Sequence, residues 1–433
     1  MRSNLWVALI GLILLTSALL QQPALLLLGL LLSLVAGASR LWRHACLAEV
    51  TYRRRFGAKR LEFGEETDLF IEIVNRKPLP LAWLKVEDEF PEELDLLTGR
   101  LQASSIPRRA YLTNVLALRW YERVQRRYRL RARQRGVFTF GPARVRSGDI
   151  FGFAVREEEM GGIDELVVYP KVFPLEQLGL PAERPLGEAR ALRRLLEDPL
   201  YLMGVRDYAP GDSFRHIHWK ATARVGQLQT KVYDPTATLS VIIFLNVETA
   251  EMAYYGIDAE AFEYALSAAA SIAGYALEVG YPVGLYVNTA IGNSLQAVRL
   301  PPDRSPERWT DILETLARIT TVRLLRFDEL LQAEAPRLLY GATIIAITAV
   351  VTAGIAEALL ELRRAGHPVA LFVVGDRARV PELPGVYVVT LGGGDHWRWL
   401  RSLDFSHQPG TDVATDARID THVHHAVPQR IHG

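Results

Sequence analysis

Hydrophobic residues crowd the start of the chain. Leu5 to Leu20 is apolar apart from Thr16 and Ser17, and Ala24 to Ala38 is again almost wholly Leu, Val, Ala and Gly. Gln21-Gln22-Pro23 breaks the two runs with a polar turn signal. Each run approaches the ~17–25 residues with which a helix crosses a bilayer core, and neither has a polar face to set against a soluble core. The pattern predicts a transmembrane helical hairpin over residues 1–46. A cleaved leader is disfavoured because the second run follows at once. A lipoprotein signal is rejected because Arg43-His44-Ala45 precedes Cys46. Arg2 stands before the pair, and Arg40, Arg43, Arg53, Arg54 and Arg55 stand after it. The positive-inside rule then predicts a multi-pass protein of the cell membrane with its soluble domains in the cytoplasm. Trp6 and Trp42 fall at the interface belt on that side.

From Leu47 to Pro170 the period becomes two. Asp68–Val74, Ala82–Asp88, Tyr128–Arg133 and Gly136–Pro142 read as strands separated by turn clusters such as Asn75-Arg76-Lys77-Pro78. Short strands at this spacing predict a β-sandwich over 47–170. Ser147–Phe153 reads as a tight turn closing it. One strand face carries Arg127, Arg129, Arg131, Arg133 and Arg135. Such a stripe suits anionic lipid or a partner. The plainer expectation is a solvated face neutralised by acidic neighbours, drawn from Glu87, Asp88, Glu89, Glu92, Glu93 and Asp95. Nucleic acid is disfavoured because no aromatic interleaving of the kind that stacks bases accompanies the arginines.

From residue 236 to 405 apolar runs alternate with helical spacing. Leu239–Leu245, Pro282–Val287, Gly341–Thr348, Val369–Val374 and Val386–Leu391 read as strands. Asp258–Val279, Ser305–Ile319 (capped by Ser305) and Ala353–Arg364 (stopped by Gly366) read as helices. Strand–helix alternation predicts a doubly wound α/β domain, whose ligands sit at the carboxyl ends of the strands. No glycine-rich phosphate loop follows the first strand, so nucleotide binding has no support and no cofactor is expected.

Composition changes little. The 433 residues carry a formal net charge of +1, which gives no case for nucleic-acid binding. A single cysteine excludes an intrachain disulfide or a multi-cysteine metal site. The polar tail, 406–433, holds His422, His424, His425 and His432 and reads as a flexible end.

Residues 171–235 form a linker with a dense motif, GVRDYAPGDSFRHIHWKATARVG, at 204–226. Pro210-Gly211 predicts a turn, Asp212 or Ser213 a helix cap, Phe214–Ala223 a short helix, and Gly226 its stop. His216 and His218 lie two apart, which does not suit a zinc pair on a helix. The favoured reading is a buried ion network of Arg206 and Arg215 with Asp207 and Asp212. It would scaffold a surface that shows arginine and tryptophan to a partner. A hydrolytic or metal-dependent enzyme using Asp212, Arg215 and His216 or His218 is the alternative.

Hairpin, sandwich, motif and α/β domain in this order resemble the family called domain of unknown function 58. Gly204, Arg206, Tyr208, Gly211, Asp212, Arg215, Ile217, Trp219, Lys220, Ala221 and Arg224 stand at its spacing, and Arg135-Gly136 and Ser147–Gly152 resemble its earlier signature. The resemblance implies a C-terminal domain similar to von Willebrand factor A domains. It also implies a membrane-tethered adaptor or chaperone partnered by a MoxR-type AAA+ ATPase. Factor A domains that hold Mg²⁺ carry Asp-x-Ser-x-Ser after the first strand, whereas Asn246 and Glu248 stand in Asn246–Ala250 here. A working metal site is therefore not expected.

Overall fold

The computed structural model describes residues 2–149, 155–175, 202–209, 217–233, 240–250, 256–292, 294–375, 380–392, 397 and 429–430. The chain divides into two units, Met1–Val168 with Thr411–Gly433, and Tyr169–Gly410. The tail histidines and Ile150–Phe153 lie outside the described residues.

The first unit opens with helices α1 (Arg2–Leu20) and α2 (Pro23–Ala45). Among the described residues one helix, α2, is long and apolar enough to cross a membrane; the described apolar part of α1 is shorter, Leu9–Leu20. Gly29 lets the two helices meet closely, since a Cβ there would stand 2.5 Å from Leu14 Cδ2. Ser33 returns its hydroxyl to the Gly29 carbonyl at 2.8 Å, so this polar group is satisfied within the apolar helix.

Twelve strands follow: β1 (Val50–Phe56), β2 (Arg60–Leu61), β3 (Glu66–Asn75), β4 (Leu81–Pro91), β5 (Asp95–Leu96), β6 (Leu101–Ala103), β7 (Arg109–Leu118), β8 (Glu122–Arg131), β9 (Gly136–Phe140), β10 (Ala143–Gly148), β11 (Val155–Met160) and β12 (Asp164–Val168). One sheet runs β1-β3-β8, with β5 also on β8; a second runs β11-β10-β4-β7-β6; a third, smaller one runs β2-β12-β9. Alternation along β3 and β4 puts Leu69, Ile71, Ile73, Leu84 and Val86 into one core shared by the two larger sheets.

A buried ion cluster ties the three sheets together. Arg54 on β1 has a fully buried side chain and meets Asp88 on β4 at 3.0 Å and Asp164 on β12 at 3.3 Å. Its guanidinium also donates to the Gly161 and Gly162 carbonyls. Tyr52 donates its hydroxyl to Asp88 Oδ2 at 2.5 Å. Burial pushes the Asp88 carboxyl up to about 6, against the opposing pull of Arg54 and the Tyr52 hydrogen bond.

The arginine stripe is neutralised, but mostly from a strand not anticipated. Arg127 pairs with Asp68 at 2.6 Å, Arg129 reaches Glu66 and Asp68, and Arg131 binds Glu66. These carboxylates sit on β3, directly across the ladder from β8. Of the six acids expected to serve, Asp95 does, against Arg133. From the tail, β21 (Gln429–Arg430), last in chain order, pairs with Arg123 and Glu122 of β8.

The second unit holds β13 (Leu202–Asp207), helix α3 (Trp219–Val225) and β14 (Gln229–Tyr233), then an α/β region. That region contains β15 (Val241–Leu245), α4 (Ala259–Val279), β16 (Val283–Val287), β17 (Val298–Asp303), α5 (Arg308–Arg318), α6 (Phe327–Glu334), β18 (Thr343–Thr348), α7 (Ala353–Arg364), β19 (Val369–Val374) and β20 (Tyr387–Leu391). The sheet order is β17-β16-β15-β18-β19-β20, parallel except for β17. Successive residues of β15 serve opposite faces. Val241, Ile243 and Leu245 meet α4 and α5, whereas Ile242 and Phe244 meet α6 and α7. Part of the predicted linker belongs to this core: Val172 and Phe173 are buried in it, and the Phe173 amide donates to Ser271 Oγ at 3.1 Å.

Two expectations fail locally. Ser305 does not cap α5; its hydroxyl turns back to Asp303 at 2.6 Å, and Glu307 precedes the helix without a side-chain cap. Strand β17 and helix α6 were not anticipated. Pro301-Pro302 disguises the first, which the sheet accepts because β17 is an edge strand.

Candidate functional site

The described part of the motif at 204–226 combines a strand end and a short helix. β13 and β14 pair antiparallel, Arg206 opposite Thr230 and Asp207 opposite Gln229. A register shift falls between Leu202 and Gly204, where a glycine tolerates the bulge. Ile217 forms an isolated bridge with Thr230 and is buried. Among the described residues the helix α3 starts only at Trp219, which corrects the described part of the predicted helix Phe214–Ala223; Phe214–His216 lie outside the described residues. The cap of α3 is His218, whose Nδ1 accepts the Ala221 amide at 3.0 Å, not Asp212 or Ser213. Gly226, at φ 76°, closes the helix as expected and passes its amide to the Thr222 carbonyl. Thr222 Oγ1 accepts the Gln229 amide, and Gln229 Nε2 donates to Asp207 Oδ1 at 2.6 Å. The helix is thus bound back onto the hairpin by hydrogen bonds through Thr222 and Gln229.

The expected buried ion network is corrected for the residues described. Arg206 and Asp207 are both exposed, and Arg206 donates to the Asp207 main-chain carbonyl at 3.0 Å. Asp207 is held by Gln229. Gly211, Asp212, Arg215 and His216 lie outside the described residues. The imidazole of His218 spends its acceptor nitrogen on the helix cap, which removes it as a free general base. Trp219 is 66% exposed, Lys220 and Arg224 are exposed, Tyr208 is half-buried, and no residue of α3 is buried. Val205, Val225 and Leu228 add exposed apolar surface to the same small module.

A second feature lies where the α/β sheet changes direction. From β15 the chain steps to β16 on one side and later to β18 on the other, so a crevice opens at their carboxyl ends. A recess of about 240 Å³ is found there, lined by Asn246, Glu248, Arg323, Arg326, Asp328 and Thr352 among others. Asn246 Nδ2 donates to Thr348 Oγ1 at 3.0 Å, and its Oδ1 accepts Asn288 Nδ2 and the Glu248 amide. Glu248 meets Arg323 at 2.5 Å, and Arg326 grips Asp328 through both carboxylate oxygens at 3.0 and 2.6 Å. The donor set does not fit Mg²⁺: Asn246 is committed to neighbouring strands, and Glu248 is committed to a guanidinium. Asp328 rests over the first turn of α7, where a Cβ on Gly354 would stand 2.4 Å from its Oδ2. Of these residues, sequence reading singled out only Asn246 and Glu248. The Arg326–Asp328 pair precedes and opens α6, whose eight residues gave too short a periodic signal.

Residues 204–393 match the family model described as protein of unknown function DUF58. The uncharacterized protein YeaD of Bacillus subtilis (strain 168) is 25% identical over 241 residues, covering 54% of each chain. The chain thus spans about half the length of the curated relative it matches. Among solved structures, a non-cellulosomal cohesin from Archaeoglobus fulgidus covers 28% of this chain and 91% of its own at 9% identity, TM-score 0.20. The CARDB domain of the PF1109 protein from Pyrococcus furiosus covers 28% and 86% at 9% identity, TM-score 0.18. Scores this low carry no argument about fold or function. The family match and the Bacillus relative together support DUF58, a family of unknown function, as the family to which this chain is related.

Proposed function

We propose that the chain is a membrane-anchored, cytoplasm-facing adaptor. Its α/β region serves as a factor A-like domain, and with the motif at 204–226 it docks a MoxR-type AAA+ ATPase or a client complex. Helices α1 and α2 together form a two-span anchor with both ends on the cytoplasmic side. The observation that carries this reading is α3, a helix that buries none of its residues yet is fixed at both ends by a side-chain cap and a left-handed glycine. A rigid helix presenting Trp219, Lys220 and Arg224 to solvent has the residue types that dominate interface energies. The hydrolytic alternative gains no support from a histidine already engaged in capping.

Affinity isolation of the full-length protein from detergent extracts tests the proposal. The wild type should retain a MoxR-type ATPase. Trp219→Ala with Arg224→Ala should lose it, with binding weakened at least about 30-fold if Trp219 is a hot spot worth ~2 kcal/mol. The melting temperature of the variant should be unchanged, because neither side chain is packed. Recovery of no ATPase from cells that contain one sinks the reading.

A further inference from the structure

Exposed arginines with no ion pair to a described residue gather at the end of the β-rich domain nearest α2. The domain begins to cover α2 at Ser39, which is 6% exposed and donates to Asp149 Oδ2 at 2.9 Å. Leu26, Leu27, Leu28, Leu30, Leu31 and Leu34 earlier in the helix are all exposed. Ser39 is therefore where bare apolar helix gives way to protein. Trp42 lies three residues, or about 5 Å of rise, beyond that border. The headgroup layer is of similar depth, ~5–8 Å on each side of the hydrocarbon. Whatever stands beside Trp42 stands at headgroup level.

Two turns stand there. The segment between β3 and β4 and the turn between β7 and β8 are knit together: Asn75 Nδ2 donates to the Leu79 and Arg119 carbonyls, and the Tyr121 amide to the Lys77 carbonyl. Lys77 in turn donates to the Cys46 and Ala48 carbonyls just past α2. Trp42, Pro80, Leu81, Ala117, Leu118 and Arg119 line a recess of about 320 Å³ between them. At the tip of the second turn Trp120 is 58% and Tyr121 43% exposed. Arg40, Arg43, Arg76 and Arg119 are exposed, and none forms an ion pair with a described residue. Amphipathic aromatic rings beside unpaired arginines, continuous with a membrane-crossing helix, match the composition of a bilayer interface.

We propose that this end of the β-rich domain is a second membrane contact: Trp120 and Tyr121 lie among the lipid headgroups of an anionic bilayer, and Arg76 and Arg119 bind their phosphates. The proposal rests on α2 being a membrane span, and the test separates the two. The full-length protein carrying Ala117→Cys, or Ser105→Cys in the turn between β6 and β7, beyond the far end of β7, is labelled with a fluorophore. Cys46 is buried and stays unlabelled. Each protein is reconstituted into phosphatidylcholine vesicles, with and without phosphatidylglycerol, that contain headgroup-level quencher lipids. Position 117 should be quenched and position 105, about 30 Å away along the strand, should not. Trp120→Ser with Tyr121→Ser should abolish the quenching. Arg76→Gln with Arg119→Gln should abolish its increase with phosphatidylglycerol. Protein that floats with the vesicles while position 117 is no more quenched than 105 overturns the second contact and leaves the anchor standing. Quenching at 117 indifferent to phosphatidylglycerol overturns the anionic preference. Protein that does not float with vesicles overturns both.

Discussion

Arg54 and Asp88 show what single residues do in the first unit. Taking both out of water is costly, and the cost is offset only because every sheet contributes a partner. Arg54→Met would strand two carboxylates and should cost about 3–5 kcal/mol of stability, read by denaturant unfolding. Asp88 also gives a pH signature. Its ordinary value near 3.9 in an unfolded chain rises to about 6 on folding, so the folded protein holds the proton more tightly. Its contribution to stability is therefore full below about pH 4 and is lost as pH rises through about 6. Asp88→Asn should remove a slope on the order of 3 kcal/mol across that window, relative to wild type. None of this was legible in the sequence. Arg54 looked like one of five arginines that follow the apolar pair and Asp88 like one of six acids. Nothing in a linear pattern says which charge turns inward on a strand with alternating faces.

At the scale of elements, long and strongly periodic segments were legible. Ala353–Arg364 and Val369–Val374 have the boundaries that the pattern predicts, and Asp258 caps α4 through the Glu260 and Ala261 amides. Short elements whose conformation depends on a distant strand were not. Helix α3 begins late because Ile217 pairs with Thr230, and β17 exists because β16 offers it an edge. The carboxylates that neutralise the arginine stripe were missed because register, not nearness in sequence, puts β3 opposite β8. Helix packing supplies a further test. Gly354 leaves room for Asp328 at the head of α7, and Gly354→Ala places a methyl group 2.4 Å from that carboxylate. The substitution should destabilise the α/β region by about 1–3 kcal/mol, even though alanine favours a helix more than glycine. Thermal unfolding of the full-length variant measures it.

Over the whole molecule, an apolar helix, a β-rich unit and an α/β unit read from the sequence alone, because each has its own hydrophobic period. The proposed surfaces were less legible, since the exposed helix at Trp219 and the turn at Trp120 get their meaning from what surrounds them. One feature of the first unit reaches further. Lys77 and Arg156 hold the carbonyls at and just beyond the end of α2, and Trp42 and Ser39 are pinned to Gly148 and Asp149. With α2 inserted in a bilayer, as proposed, lipid insertion and domain melting become one linked equilibrium. A bilayer that keeps α2 helical to Ala45 keeps those groups in place and raises the melting temperature of the β-rich domain. A short-chain detergent that frays the helix end lowers it. Calorimetry in nanodiscs and in detergent should show this as a shift in the β-domain transition, and Lys77→Met with Arg156→Met should erase the shift. The domain would in effect report, through its own heat stability, on the thickness and order of the membrane that carries it.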